Sequence, residues 1–289
     1  VIALWAVFGI VLILCVVQQY SALFTTVEDR IFPGQYLQSK DMILLFICTS
    51  CGGAVEGVTL YCIPLFISFT HGDLSIKVTV RRLPFVVVFI VFFIIAGALL
   101  PTTGRYAPTY TLGRILLLVF SSLFFTISET TYTSAIYGYE ALVGARTGLV
   151  FQNAYAIVTR KVIITRKVII TRKVERYRKP RAIGFINVAQ LGSVVVALRI
   201  AACVFENVGV AAFGDALGGF EVPESDLISA LSGTHSSSMN GRDQEVVGIV
   251  VGCVAHTVSR IFGMGIAGGA LAICCSLLMD QRKLSAVRW

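Results

Sequence analysis

Seven stretches of this chain are apolar for long enough to cross a lipid bilayer, and that pattern constrains the fold more than any other feature. Crossing roughly 30 Å of hydrocarbon takes about 20 residues as a helix, because each backbone N–H and C=O must be satisfied within its own segment. The stretches cover residues 1–24, 42–69, 83–101, 110–128, 137–158, 182–205 and 248–279, lettered a to g below. Composition agrees, with 56% hydrophobic residues, 14% charged and a mean hydropathy of +0.82. Soluble domains run about 45–50% apolar and about 25% charged, so an ordinary soluble domain, a disordered tail and a disulfide-built secreted scaffold are excluded. The expected fold class is all-α, a polytopic transmembrane helix bundle.

The chain opens on Val1 and not Met, and span a lacks the positive flank and small-residue cleavage site of a secretory signal. It reads as a sequence truncated at its start. All eight cysteines lie in or beside apolar runs, where a thiol behaves as a small buried hydrophobe. Cys48 and Cys51 have C-x-x-C spacing, but nothing nearby completes a tetrahedral metal site. Pro64 falls inside span b and is expected to kink it, while the carbonyl it frees needs a partner from a neighbouring helix or water. Pro84 begins span c, where a missing N–H costs little.

Orientation follows from the distribution of Lys and Arg between spans. With spans alternating, 17 fall on one side: Arg30, Lys40, Arg105, Arg114, ten from Arg160 to Arg181, then Arg282, Lys283 and Arg288. The other side takes four, namely Lys77, Arg81, Arg82 and Arg242. The richer side is expected to be cytoplasmic, placing the 25–41 loop and the C-terminus inside and the acidic 206–247 loop outside.

Between spans e and f the hexapeptide T-R-K-V-I-I is written nearly three times over 159–174. A period of six fits neither a helix nor a solenoid repeat. The insertion reads as a dispensable tandem duplication. Between two membrane spans its basic character fits anionic lipid heads better than nucleic acid, so no nucleic-acid partner is expected.

The run from Gly263 to Gly268 matches G-x-G-x-x-G, yet it lies within an apolar span instead of a strand–helix turn, so a dinucleotide site is rejected. Gly53 and Gly57, Gly144 and Gly148, and Gly265 and Gly269 are better read as small-x-x-x-small pairs that let helix backbones approach. Three scattered histidines, without H-E-x-x-H or G-x-S-x-G, offer no support for catalysis or for a metal.

Ionisable groups at membrane depth rise above this background, since each costs about 2.5–3.5 kcal/mol at a helix centre on insertion scales and ordinarily faces a polar interior. Glu56 and Arg146 stand near the middles of spans b and e, while Glu140 and Arg199 sit closer to the outer ends of e and f. Opposite charges at one depth suggest an ion pair, with separate solvation in a water-filled cavity as the alternative. Gln152, Asn187 and Gln190 add neutral hydrogen-bonding groups.

The runs RIFPGQYLQSKDMILLFICTS, YCIPLFISFTHGD, RRLPFVVVFIVF, IYGYEALVGARTG and AIGFINVAQLGS together resemble the second half of fungal fourteen-span drug:proton antiporters of the major facilitator superfamily, the branch that includes toxin efflux pumps. The resemblance covers nearly the whole chain apart from the repeat. It implies that span a corresponds to the eighth helix, and that 42–289 forms the C-terminal six-helix bundle. Gly97 to Arg105 resembles a worn copy of the superfamily loop G-x-x-x-D-R-x-G-R, with Pro101 and Thr102 in place of Asp and Arg, leaving Gly97, Gly104 and Arg105 as a gating-loop remnant. By the same resemblance Tyr61, Phe66, Glu140 and Gln152 join Glu56, Arg146, Asn187 and Gln190 as substrate-path candidates.

What the resemblance implies is proton-coupled efflux of small apolar toxins, drugs or secondary metabolites, without covalent chemistry or cofactor. The implied partners are the substrate, protons, the lipid bilayer and a missing N-terminal transporter half, without which the chain is not expected to transport. The implied location is a fungal plasma membrane, ahead of a vacuolar one. The rival readings are a non-transporting membrane scaffold or degenerate gene product, and a channel.

Overall fold

The computed structural model describes residues 39–71, 75–103, 107–128, 131–164, 172–216 and 244–279, together with nine residues between Ala6 and Gln18. Among them all regular structure is helical: α1 (Lys40–His71), α2 (Ser75–Arg81), α3 (Leu83–Thr103), α4 (Ala107–Phe125), α5 (Thr133–Ile164), α6 (Arg172–Ala216) and α7 (Gln244–Leu278). The chain thus forms an all-α bundle, and five of its helical stretches are long and apolar enough to cross a membrane. The nine residues described within span a are helical too, and Val7, Ile10, Val11, Ile13, Leu14 and Val17 are exposed.

Five long helices close a ring in the order α1, α7, α4, α5, α6 and back to α1, and α3 lies outside it against α5. Glycines hold the closest crossings. A Cβ added to Gly53 would stand 2.6 Å from the Gln190 carbonyl oxygen and one on Gly57 2.7 Å from Val194, both on α6. On α5, Gly144 and Gly148 would meet the Phe85 and Phe89 carbonyl oxygens of α3 at 2.5 and 2.6 Å. On α7, Gly265 and Gly269 would meet Ser121 and Leu118 of α4 at 2.7 and 3.1 Å. Each small-residue pair read from the sequence therefore sits at a helix crossing, where close backbone approach supplies the dispersion contacts that lipid cannot improve on. The stretch containing α3 has only 6% of its apolar window buried, against 50% for α1, so its Val, Ile and Leu side chains are left to lipid.

Three sequence expectations change. Arg114, counted above among loop charges, lies two turns inside α4 and is fully buried. Its helix begins at Ala107, with Pro108 in the first turn where no N–H is needed. Taking Arg114 out of the count leaves the charge asymmetry in place. Second, helix runs into the repeat from both sides, with α5 continuing to Ile164 and α6 starting at Arg172, because T-R-K-V-I-I contains no Gly or Pro to stop it. The repeat is therefore not wholly a loop insertion, and 165–171 lie outside the described residues. Third, α5 is not among the five helices apolar enough to count as free-standing spans. Its polar side chains Glu140, Arg146, Thr147 and Asn153 are buried within the bundle instead.

Two apolar clusters fill the ring. One gathers Phe66, Phe120, Phe124 and Phe262, with Phe120 edge-on to Phe262 at 5.6 Å between centroids. The other gathers Leu45, Tyr110, Ile157, Phe185 and Met279. Along α1 the second cluster ends at Cys48 and the first begins at Val55; along α4 the corresponding residues are Tyr110 and Leu117; along α5, Leu149 and Val143. A thin layer between the clusters is left for polar side chains.

Candidate functional site

That layer opens as a small cleft between α1, α4, α5 and α6, lined by Thr49, Gly52, Gly53, Glu56, Arg114, Arg146, Thr147 and Gln190 among others. Helix geometry explains why these residues converge. Thr49, Gly53 and Glu56 are spaced by four and three positions, which puts them on one face of α1. Arg146 and Thr147 stand at the middle of α5 with Glu56 opposite.

Arg146 Nη2 donates to Glu56 Oε2 at 2.5 Å, and the Thr147 hydroxyl donates to the same oxygen at 2.7 Å. The pair is poorly hydrated, the Arg146 and Glu56 side chains being 3% and 16% exposed. The structure thus brings together the two charges that the sequence placed at one depth. Charge-assisted contacts of this kind are the strong ones, and they offset the desolvation of both groups.

A second cation lies beside this pair. The Arg114 guanidinium stacks on the Tyr110 ring with Cζ 4.5 Å from the centroid, and a Cβ on Gly52 would lie 2.5 Å from its Nη1. Among the described residues none of its three nitrogens has an acceptor in good hydrogen-bonding geometry, the neighbouring Tyr110 hydroxyl included, and Arg146 Nε lacks one as well. The Tyr110 hydroxyl is shared with Thr49 Oγ1 at 3.1 Å. On the α6 side the Tyr155 hydroxyl donates to Asn187 Oδ1 at 2.7 Å, with Gln190 Oε1 at 3.0 Å as its alternative acceptor. Asn187 and Gln190 thereby tie α6 to α5 at the margin of the cleft.

Glu140 belongs to a separate arrangement. It is fully buried, with Oε1 3.4 Å from Arg82 Nε and neither oxygen accepting a hydrogen bond. Arg82, which the sequence placed among loop charges, also donates from Nη1 to the Leu60 carbonyl oxygen at 3.1 Å. Leu60 is four residues before Pro64, so this is the carbonyl left without a helical donor by the missing proline N–H. The helix runs through Pro64 unbroken, and a neighbouring segment supplies the donor that the freed carbonyl requires.

The other candidates are dispersed. Phe66 is buried in the apolar cluster, Tyr61 is exposed at 59%, and Gly97 is an exposed position on α3. The Gln152 side chain, Gly104 and Arg105 lie outside the described residues. Arg199 is exposed on α6. Sequence reasoning missed Arg114, Arg82, Thr147 and Tyr155. For Arg114 a signal existed, since residue 114 already fell inside span d. Among the described residues no three His, Cys, Asp or Glu side chains come together as metal ligands, and Cys48 donates from Sγ to the Ala272 carbonyl at 3.4 Å.

The fold and the polar layer inside it define a polytopic α-helical membrane protein. No family model matches the chain. Its relatives include the efflux pump patC of Aspergillus clavatus, 30% identical over 282 residues, and the MFS-type transporter pgmG of Aspergillus terreus, 34% identical over 289 residues; each match covers 98% of this chain and 49% or 48% of the relative. A third, the phomenoic acid biosynthesis cluster MFS-type transporter of Leptosphaeria maculans, is 29% identical over 303 residues, 98% of this chain and 46% of its own length. Over nearly its whole length the chain is similar to fungal proteins named as efflux pumps or MFS-type transporters, and it spans about half the length of the relatives it matches.

Proposed function

We propose that this chain forms the C-terminal six-helix half of a proton-coupled efflux transporter for small, largely apolar molecules, and that it works only when paired with an N-terminal half. The observation that carries the reading is the charged layer enclosed between two apolar clusters at the middle of the bundle, lined by Glu56, Arg146, Thr147 and Gln190. Transporters of this architecture place their substrate site near the midplane and alternate access by rocking one bundle against the other. One relative is named an efflux pump and another a biosynthesis-cluster MFS-type transporter, which supports a secondary metabolite as cargo. Glu140 is the carboxylate assigned to the proton: it is buried and, among the described residues, accepts no hydrogen bond and faces the charge of Arg82 at 3.4 Å. Protonation would release Arg82 from it and loosen the tie between the α2–α3 junction and α5. The excess of Lys and Arg on one side supports a cytoplasmic C-terminus.

The test is flux. Coexpressed with the N-terminal half of a full-length relative, the chain should let inside-out yeast vesicles accumulate a neutral hydrophobic dye against its gradient, and a protonophore should collapse that uptake. Glu140→Gln should retain dye binding and lose the response to the pH gradient. Equilibration that never runs uphill would indicate a channel, and no flux at all would indicate a scaffold.

A further inference from the structure

We propose that the midplane cleft is an anion site: it takes a single negative charge, a substrate carboxylate or a chloride ion, on the guanidinium of Arg114 with help from Nε of Arg146. The side chains lining the cleft include two guanidiniums, Arg114 and Arg146, and one carboxylate, Glu56. Glu56 is committed to Arg146 and Thr147. One positive charge is left over in a layer closed above and below by apolar clusters.

That charge has a definite location. Arg114 is 0% exposed, its Nε, Nη1 and Nη2 have no acceptor in good geometry among the described residues, and Nε of Arg146, which lines the same cleft, is unsatisfied too. A guanidinium cannot escape by losing its proton, and burying one without a partner costs several kcal/mol. Stacking on Tyr110 recovers part of this but satisfies none of the N–H groups. A monovalent anion would satisfy both the charge and the donors, and the planar fork of a guanidinium matches a carboxylate in two parallel hydrogen bonds. Gly52 keeps the approach open, because a side chain there would press on Nη1. The inference rests on the transporter reading only in treating the cleft as part of the substrate path, and it narrows the cargo to molecules that carry one negative charge or travel with one.

The experiment uses the full chain in phosphatidylcholine nanodiscs with radiolabelled octanoate as the probe, in a gluconate buffer free of chloride. Binding should saturate, should be displaced by unlabelled octanoate, and should resist octanamide, its neutral twin. Arg114→Gln should weaken it by about tenfold or more, as loss of a charge-assisted contact does, and Arg114→Lys should fall between. Because Arg114→Gln removes an unpaired buried charge, the variant should unfold at no lower temperature than wild type while losing the stabilisation that octanoate gives. Displacement by chloride at lower concentration than octanoate supports the anion site and assigns it to the inorganic ion. Octanoate held equally well by Arg114→Gln, equal displacement by octanamide, or no saturable binding to folded wild type overturns the proposal. The vesicle assay reads the transporter reading separately, since dye flux without anion binding removes only the anion site, and anion binding without flux removes only the transporter.

Discussion

Neutralising Glu56 gives the sharpest test of the polar layer, because it is the one carboxylate among the residues lining the cleft, set against two buried guanidiniums. In Glu56→Gln, Arg146 and Arg114 would face each other's charge with no counterion at 2% and 0% exposure, and the glutamine amide would turn N–H groups toward guanidinium donors. Stranding one partner of a buried pair costs about 3–5 kcal/mol, and the 16% exposure of Glu56 points to the lower end, about 3 kcal/mol. That corresponds to more than about a hundredfold change in the ratio of folded to unfolded protein. Arg146→Gln should cost less, because Glu56 would still have Arg114 across the cleft. The double variant leaves one uncompensated cation, as in wild type, and should recover most of the loss. Reversible SDS unfolding in mixed micelles, followed by far-ultraviolet circular dichroism, measures all three. If the double variant loses the sum of the single losses to within about 0.5 kcal/mol, the two groups are independent and the pair contributes nothing.

Three further outcomes are expected. Gly148→Ala places a methyl 2.6 Å from the Phe89 carbonyl oxygen and 2.8 Å from the Phe93 nitrogen, and should cost about 1–3 kcal/mol, whereas Gly192→Ala meets nothing within 4 Å and should be neutral or stabilising by up to about 1 kcal/mol in the same unfolding assay. Arg82→Met leaves the Leu60 carbonyl and Glu140 unpaired, at about 1–3 kcal/mol for each group; Pro64→Ala restores an N–H to Leu60 and should therefore stabilise the Arg82→Met protein more than it stabilises wild type. In intact cells, with the other thiols removed, an impermeant maleimide should label Ser237→Cys and miss Ser285→Cys, and the reverse pattern would invert the proposed topology.

Helix positions were legible because hydropathy is local: span c, read as 83–101, is α3 (Leu83–Thr103), and span d, read as 110–128, is α4 (Ala107–Phe125). The Glu56–Arg146 contact was also within reach, since depth follows from counting residues and opposite charges attract. Arg82 was not, because its partners depend on how a helix junction sits against two other helices. Read by position it was a loop cation, and only the three-dimensional arrangement shows it serving a carbonyl of α1 and a carboxylate of α5. Arg114 failed for a simpler reason: counting basic residues toward one face of the membrane takes no account of a charge buried inside the bundle. The helix running into the repeat from either side was not foreseen, because the repeat's peculiar period said nothing about its helix propensity.

The Pro64–Leu60–Arg82–Glu140 arrangement has an evolutionary consequence. Once a proline occupies position 64, losing the guanidinium at 82 strands both a carbonyl and a carboxylate, and losing the carboxylate at 140 takes the adjacent counterion from Arg82. Each single loss of a charge from the set is worse than the set itself. The order of historical change is then constrained: either Arg82 was in place before the proline, or Pro64 must revert before Arg82 can go. Homologues with Pro64 should therefore also carry the cation and the carboxylate, and Pro64 without them should be scarce, even though 64, 82 and 140 lie on three different segments of the chain.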